Sequence, residues 1–207
     1  MLFLKTIRKL APGLCLSMLV ATSAVAAPNP GESAPAFTGT GADGKPVNLE
    51  AFRGKTVILE WTNHECPFVR KHYESGNIPT LQKEATGKGI VWLQVISSAP
   101  GKEGYVDGKT AQQLNQSRKA QPSAVVLDPE GKIGKLYGAV TTPHLYIINA
   151  QGTLVYKGGI DSIQSSNPAD IAKAENYVKL ALADLSAGRP IAQNNTRPYG
   201  CTVKYAN

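Results

Sequence analysis

The sequence predicts an α/β sandwich, a central mixed sheet with helices on both faces. Three observations lead there. Short apolar, β-branched runs alternate with helix-compatible segments, the last two runs flank a tight turn, and a long helical pattern follows them. The composition agrees: 207 residues, 42% hydrophobic and 18% charged, are enough to bury one core without staples and are not the make-up of a disordered chain.

The elements follow in order. Lys5, Arg8 and Lys9 precede an apolar stretch from Leu10 to Ala26 that ends Ala24-Val25-Ala26, the pattern of a cleaved export signal over residues 1–26. Cys15 falls inside it. Residues 27–36 are rich in Pro and small side chains and form an extended lead-in. Gly41-Ala42-Asp43-Gly44-Lys45 is a turn between two short strands. Thr56–Trp61, Ile90–Ser97 and Ala124–Leu127 are compact enough to be buried strands, and Leu145–Ile148 and Leu154–Tyr156 flank the turn at 149–152 as a hairpin. Helix is expected from Pro67 to about Glu84, broken or kinked at Gly76 and Pro79, and from Lys109 to about Ala120. The clearest helical pattern runs from Pro168 to Ala187, with Ile171, Ala174, Val178, Leu182 and Leu185 on one stripe and Asn167 as its cap. Residues 98–108 are expected to be an irregular surface loop. Residues 27–188 make one domain, and 189–207 a tail too polar to enter its core.

The charge excludes one class of function. Residues 1–26 hold three bases and no acid, so their removal brings the formal net charge from +7 to +4. With no Lys/Arg run left, a nucleic-acid partner is not expected. The leader is too short and too small-residued at its end for a stable membrane anchor, and the expected location is the periplasm. The mature chain keeps two cysteines, Cys66 and Cys201, in a compartment where disulfides form.

Cys66 follows a buried strand and precedes Pro67, a residue suited to the first helical position. A thiol at a helix start faces free backbone N–H groups and the positive end of the dipole, which favour thiolate, and Arg70 and Lys71 stand one turn on. An inert buried cysteine is the alternative. Thr142-Pro143 precedes an apolar strand, where a proline signals either a cis peptide or a plain turn. Asn63 and His64 can hydrogen-bond a group arriving at Cys66, and the backbone at Thr142 and Pro143 can pair with a peptide. His64, His72 and His144 raise a metal site, but scattered histidines near one cysteine are more often solvated surface, and neither metal nor cofactor is expected. Cys201, freed by Gly200 before it, lies on a tail that reaches up to about 40 Å when extended. It can resolve an oxidised Cys66, form a structural bridge, or stay unpaired.

Strand, Cys-Pro, helix, then Thr142-Pro143 before an apolar strand and a Gly-containing hairpin resembles the thioredoxin fold. The runs Gly131–Gly138 and Thr142–Gly152 are similar to redoxins of the alkyl hydroperoxide reductase/thiol-specific antioxidant superfamily. Trp61–Tyr73 together with Arg197–Tyr205 resembles an exported, peroxiredoxin-like branch of it. The resemblance implies a thioredoxin-like three-layer sandwich, Cys66 as nucleophile, Pro143 as the cis-proline and a thiol oxidoreductase acting on a protein disulfide or a peroxide with an external reductant. The chain departs from both patterns. Val69 stands where thioredoxins place a second cysteine, Leu59 and Asn63 replace the peroxiredoxin Pro and Thr, and Pro143-His144 occupies the region of their activating Arg. A non-catalytic redoxin-fold module binding a peptide or metal is therefore the alternative function. On the catalytic reading Cys66 and Cys201 form a reversible disulfide that closes a loop of about 135 residues.

Overall fold

The computed structural model describes residues 26–206; Cys15 and all of the expected export signal but Ala26 lie outside the described residues. The turn at 41–45 closes where expected, joining β1 (Thr38–Gly41) and β2 (Pro46–Asn48), with Gly41 N donating to Lys45 O at 2.7 Å. Three strands then run parallel: β3 (Val57–Trp61), β4 (Val91–Ile96) and β5 (Ala124–Leu127). A two-residue strand β6 (Thr141–Thr142) leads into β7 (His144–Ile148), which lies antiparallel to β3 and pairs with β8 (Leu154–Gly158). The main sheet has the order β2-β1-β5-β4-β3-β7-β8. Its central strands β3, β4 and β7 are buried throughout, which is why their sequences read as continuous apolar runs and do not alternate.

Helices cover both faces. On one face α1 (Pro67–Glu74), α2 (Asn77–Gly87) and α5 (Tyr177–Ser186) bury Val69, Tyr73, Ile78, Leu81, Val178 and Ala181 against Ile58, Trp92, Leu145 and Ile147. α3 (Gly108–Ser117) packs Ala111 against Ile96 and Val125. On the other, α4 (Lys132–Tyr137) sets Ile133 and Tyr137 against Leu59, Trp61, Leu93, Val95 and Tyr146. The three-layer thioredoxin-like sandwich is what the chain forms. No described helix is long and apolar enough to cross a membrane.

Three expectations need correction. The helix after Cys66 breaks at Gly76, in the left-handed region at φ 76°, and not at Pro79, which falls in the first turn of α2 where a missing N–H is harmless. The pattern 168–187 is not one helix. Pro168–Lys173 is a 3-10 turn, and Ala174–Asn176 turns away to pair with 160–162: Tyr177 N donates to Ile160 O and Ser162 N to Glu175 O, both at 3.0 Å. Asn176 then caps α5 by accepting from Lys179 N at 3.0 Å. The tail is no polar fringe. It runs beside β8, forms strand β9 (Cys201–Thr202) against β6, and buries Tyr199 and Val203.

Candidate active site

The end of β3 delivers Cys66. Thr62 N still donates to Val95 O of β4 at 3.1 Å, the chain then bends through residues 62–65, and Cys66 takes the N-cap position with extended backbone. Its carbonyl accepts from Val69 N at 3.0 Å and Arg70 N at 2.9 Å, and Pro67 fills the next position, whose N–H would have had no helical partner. The side chain is fully buried, and its thiol donates to Thr142 O at 3.2 Å. Thr142-Pro143 is the cis peptide. The loop before β7 thus turns a carbonyl onto the cysteine.

The tail completes the site. β9 pairs antiparallel with β6 so that Cys201 lies opposite Thr142, the residue whose carbonyl holds Cys66. Gly200 makes this approach possible: its φ is +132°, and a Cβ there would sit 2.0 Å from Thr142 O. Both cysteines are free thiols, packed in one cluster. Burial first, then the hydrogen bond and charge of Cys66, push the Cys201 thiol up to about 12. Cys201 therefore keeps its proton beside Cys66 at neutral pH.

The remaining predicted site residues have other commitments. Asn63 is buried, with Oδ1 accepting from Glu65 N at 2.9 Å and Nδ2 donating to Glu103 at 3.0 Å. Glu65 in turn accepts from Gly104 N, and Ala99 N donates to Lys204 O at 2.8 Å. Asn63 thus fastens residues 98–108, the expected irregular surface loop, onto the cysteine loop, and the Ala99–Lys204 bond ties the same segment to the tail. His64 is half-buried, and burial lowers its pKa. His144 follows Pro143 but packs its ring on Tyr146 at 4.5 Å on the α4 side; burial, then Lys157, hold it down to about 3. The two cations expected to raise the potential at Cys66 are matched by acids: Arg70 pairs with Glu74 at 3.0 Å, and Lys71, fully buried, lies 3.6 Å from Asp161. Among the described residues no three His, Cys, Asp or Glu side chains gather as a metal site. Sequence reasoning gave no role to Tyr199 and Asp161, which meet where the tail packs on the domain; both stand in segments without periodicity, and the resemblance of Arg197–Tyr205 marked the Tyr199 segment without assigning the residue a part.

The sequence model of the AhpC/TSA family matches residues 30–157, well over half the chain and inclusive of Cys66, Thr142 and Pro143. The chain belongs to the AhpC/TSA family. No curated protein matches it. A hypothetical protein of Sinorhizobium meliloti superposes with a TM-score of 0.73 at 18% identity, covering 87% of this chain and 97% of that one. An uncharacterized conserved protein of Geobacillus kaustophilus gives 0.72 at 23%, covering 92% and 98%. The thioredoxin domain of a thiol-disulfide oxidoreductase from Bacteroides vulgatus gives 0.51 at 22%, covering 71% and 98%. At these identities the likeness establishes the fold. The AhpC/TSA match stops before the tail, so Cys201 stands on a segment outside the matched family region.

Proposed function

We propose that this AhpC/TSA-family protein is an exported thiol oxidoreductase in which Cys66 is the nucleophile and Cys201 the resolving thiol. One observation carries the reading: β9 seats Cys201 opposite Thr142, whose carbonyl accepts the Cys66 thiol, so two free cysteines 135 positions apart share one cluster. The Cys66 thiolate attacks a substrate disulfide, forming a mixed disulfide and releasing one substrate thiolate. Cys201 then gives up its proton and attacks the Cys66 sulfur. The Cys66–Cys201 disulfide forms, the second substrate thiolate leaves, and two protein thiols have been oxidised for one substrate disulfide reduced. The asymmetry at Cys201 suits this order. Burial is the largest of the four influences raising its pKa, but two of the other three come from Cys66 itself, and both weaken once the Cys66 sulfur is bonded to substrate.

A disulfide is favoured over a peroxide by the partners of Cys66, a carbonyl oxygen and a second thiol, while Lys71 and Arg70 are matched by Asp161 and Glu74. Splitting an O–O bond calls for donors aimed at the departing oxygen. Thr142 and Pro143 remain the proposed contact for a peptide substrate; Asn63 is tied up in the loop, and His64 is the side chain left to meet the incoming group. Export rests on the leader sequence. The test is to trap the oxidised protein with an alkylating agent, map its thiols by mass spectrometry and titrate it against glutathione. A single Cys66–Cys201 disulfide with a potential in the exchangeable range is expected. Two free thiols under oxidising conditions overturn the proposal, and a potential below about −300 mV reduces it to a structural bridge.

A further inference from the structure

Immediately after the cysteine, α1 sends two consecutive residues, Lys71 and His72, into the interior, and both are fully buried. They meet Asp161, from the loop after β8, and Tyr199, two residues before Cys201. The Tyr199 hydroxyl is the hub: it donates to Asp161 Oδ1 at 2.6 Å and lies 3.2 Å from His72 Nε2 and 3.5 Å from Lys71 Nζ. Asn77 donates to His72 Nδ1 at 2.8 Å, which leaves the neutral ring its proton on Nε2, facing the hydroxyl. Lys71 also donates to Ser165 O at 2.9 Å, and the Tyr199 ring packs edge-on against Phe68 at 5.9 Å. The helix that begins at Cys66 and the tail that carries Cys201 are thus fastened to each other through one phenol.

The clasp is incomplete. Asp161 Oδ2 is buried and accepts no hydrogen bond; only the charge of Lys71 at 3.6 Å compensates it, with the neutral His72 ring 3.7 Å away. A partly satisfied buried network is a poor investment for stability alone. Lifting the tail would admit water to that oxygen and recover solvation, offsetting part of the loss of the Tyr199 bonds. Cys66, meanwhile, has no exposed surface, so a protein disulfide reaches it only when a covering segment moves, and the tail that sets Cys201 beside it is one such cover.

We propose that Tyr199 is a positioning residue, the catch that holds the tail over Cys66 and whose release from Asp161, Lys71 and His72 admits a partner protein. This rests on Cys66 being the reactive thiol. Hinged opening, without unfolding, makes the reduced protein label at Cys66 through a local fluctuation, with little dependence on urea.

The experiment follows iodoacetamide labelling of Cys66 in the reduced full-length protein against urea, read by mass spectrometry beside the global unfolding curve. Tyr199→Phe keeps the ring on Phe68 and deletes the hydroxyl. Labelling is expected to accelerate about ten- to hundredfold, the span for losing a hydrogen bond to a charged group, and to stay nearly independent of urea. Tyr137→Phe deletes a part-buried bond, 2.7 Å to Pro35 O, in the core cluster on the other face of the sheet from Cys66 and Tyr199, and its Cys66 labelling is expected to stay within threefold of wild type. Acceleration carrying the full urea dependence of global unfolding, or none beyond that of Tyr137→Phe, overturns the catch. Should Tyr199→Phe not fold, the wild type decides: labelling only through global unfolding refutes opening, and urea-insensitive labelling supports it. Failure of the oxidoreductase reading shows separately, as an absent Cys66–Cys201 disulfide.

Discussion

Gly200→Ala separates the two cysteines without touching either. Gly200 sits at φ +132°, a conformation costing a residue with a Cβ about 1–3 kcal/mol. The added methyl would also lie 2.0 Å from Thr142 O and 3.4 Å from Pro143 Cδ, against a closest ordinary approach of about 3 Å. The carbonyl belongs to the loop holding Cys66 and has little room to retreat, so the tail must move by about 1 Å and weaken its pairing with β6, at about 1 kcal/mol per bond. The combined strain is about 2–4 kcal/mol. In the reduced protein the tail escapes it by peeling away; the disulfide, which requires Cα atoms within about 7 Å, forbids that escape. The effective concentration of Cys201 at Cys66, read from equilibrium with glutathione, is therefore expected to fall about 30- to 1000-fold. Gly188→Ala is the control: it shares the positive φ, at +67°, but has no atom within 4 Å of the added Cβ. It is expected to lower stability by about 1 kcal/mol and leave the glutathione equilibrium alone. A Gly200→Ala protein within threefold of wild type would show that β6–β9 pairing does not set the geometry of the thiols.

Three further outcomes follow from the same structure. Cys66→Ala removes the hydrogen bond and charge that add to burial at Cys201, so the Cys201 pKa is expected to fall from about 12 yet stay above that of a free thiol; alkylation rate against pH reads it, and an unchanged value refutes the coupling. His72, by burial and then by Lys71, and His144, by burial and then by Lys157, are both held down to about 3. Their folded pKa lies below the unfolded value, so the stability they contribute is complete above about pH 6.5 and is lost as pH falls toward 3, at up to about 2.7 kcal/mol per unit for the pair. NMR titration should find neither ring protonating above pH 5, and urea unfolding between pH 4.5 and 7 should show the slope; a ring titrating near 6.5 contradicts its neutral burial. Tyr73→Phe removes the hydroxyl that donates to buried Glu60 at 2.7 Å and accepts from Gln94, and is expected to cost about 1–3 kcal/mol in urea unfolding with labelling of Cys66 unchanged.

Much of the architecture was legible because it is written locally. β3, β4, β5 and β7 are short, mainly apolar runs, as burial on both faces of a central strand requires, while Glu60 and Gln94 within them are buried with hydrogen-bond partners. Cys66 announced itself by its neighbours, a strand before it and a proline after it. The position of Gly200 before Cys201 signalled backbone freedom, though not the carbonyl it was needed to approach.

The tertiary structure decided what depends on residues distant in the chain. Residues 168–187 carry a helical pattern, yet 174–176 give their backbone to 160–162, a pairing no window of the sequence contains. Lys71 and Asp161 look like solvated charges when read singly, and they are buried because each compensates the other across 90 positions, with His72 buried neutral beside them. The tail has too few apolar residues to declare a core element, but Tyr199 and Val203 are placed by the path of the chain over β8 and β6, and not by any period. The sequence by itself determined a redoxin-like sandwich with a thiol at a helix start. Only the folded chain brought Cys201 to that thiol, because the contact depends on the pairing of β6 with β9, a glycine and a buried clasp drawn from separate parts of the chain.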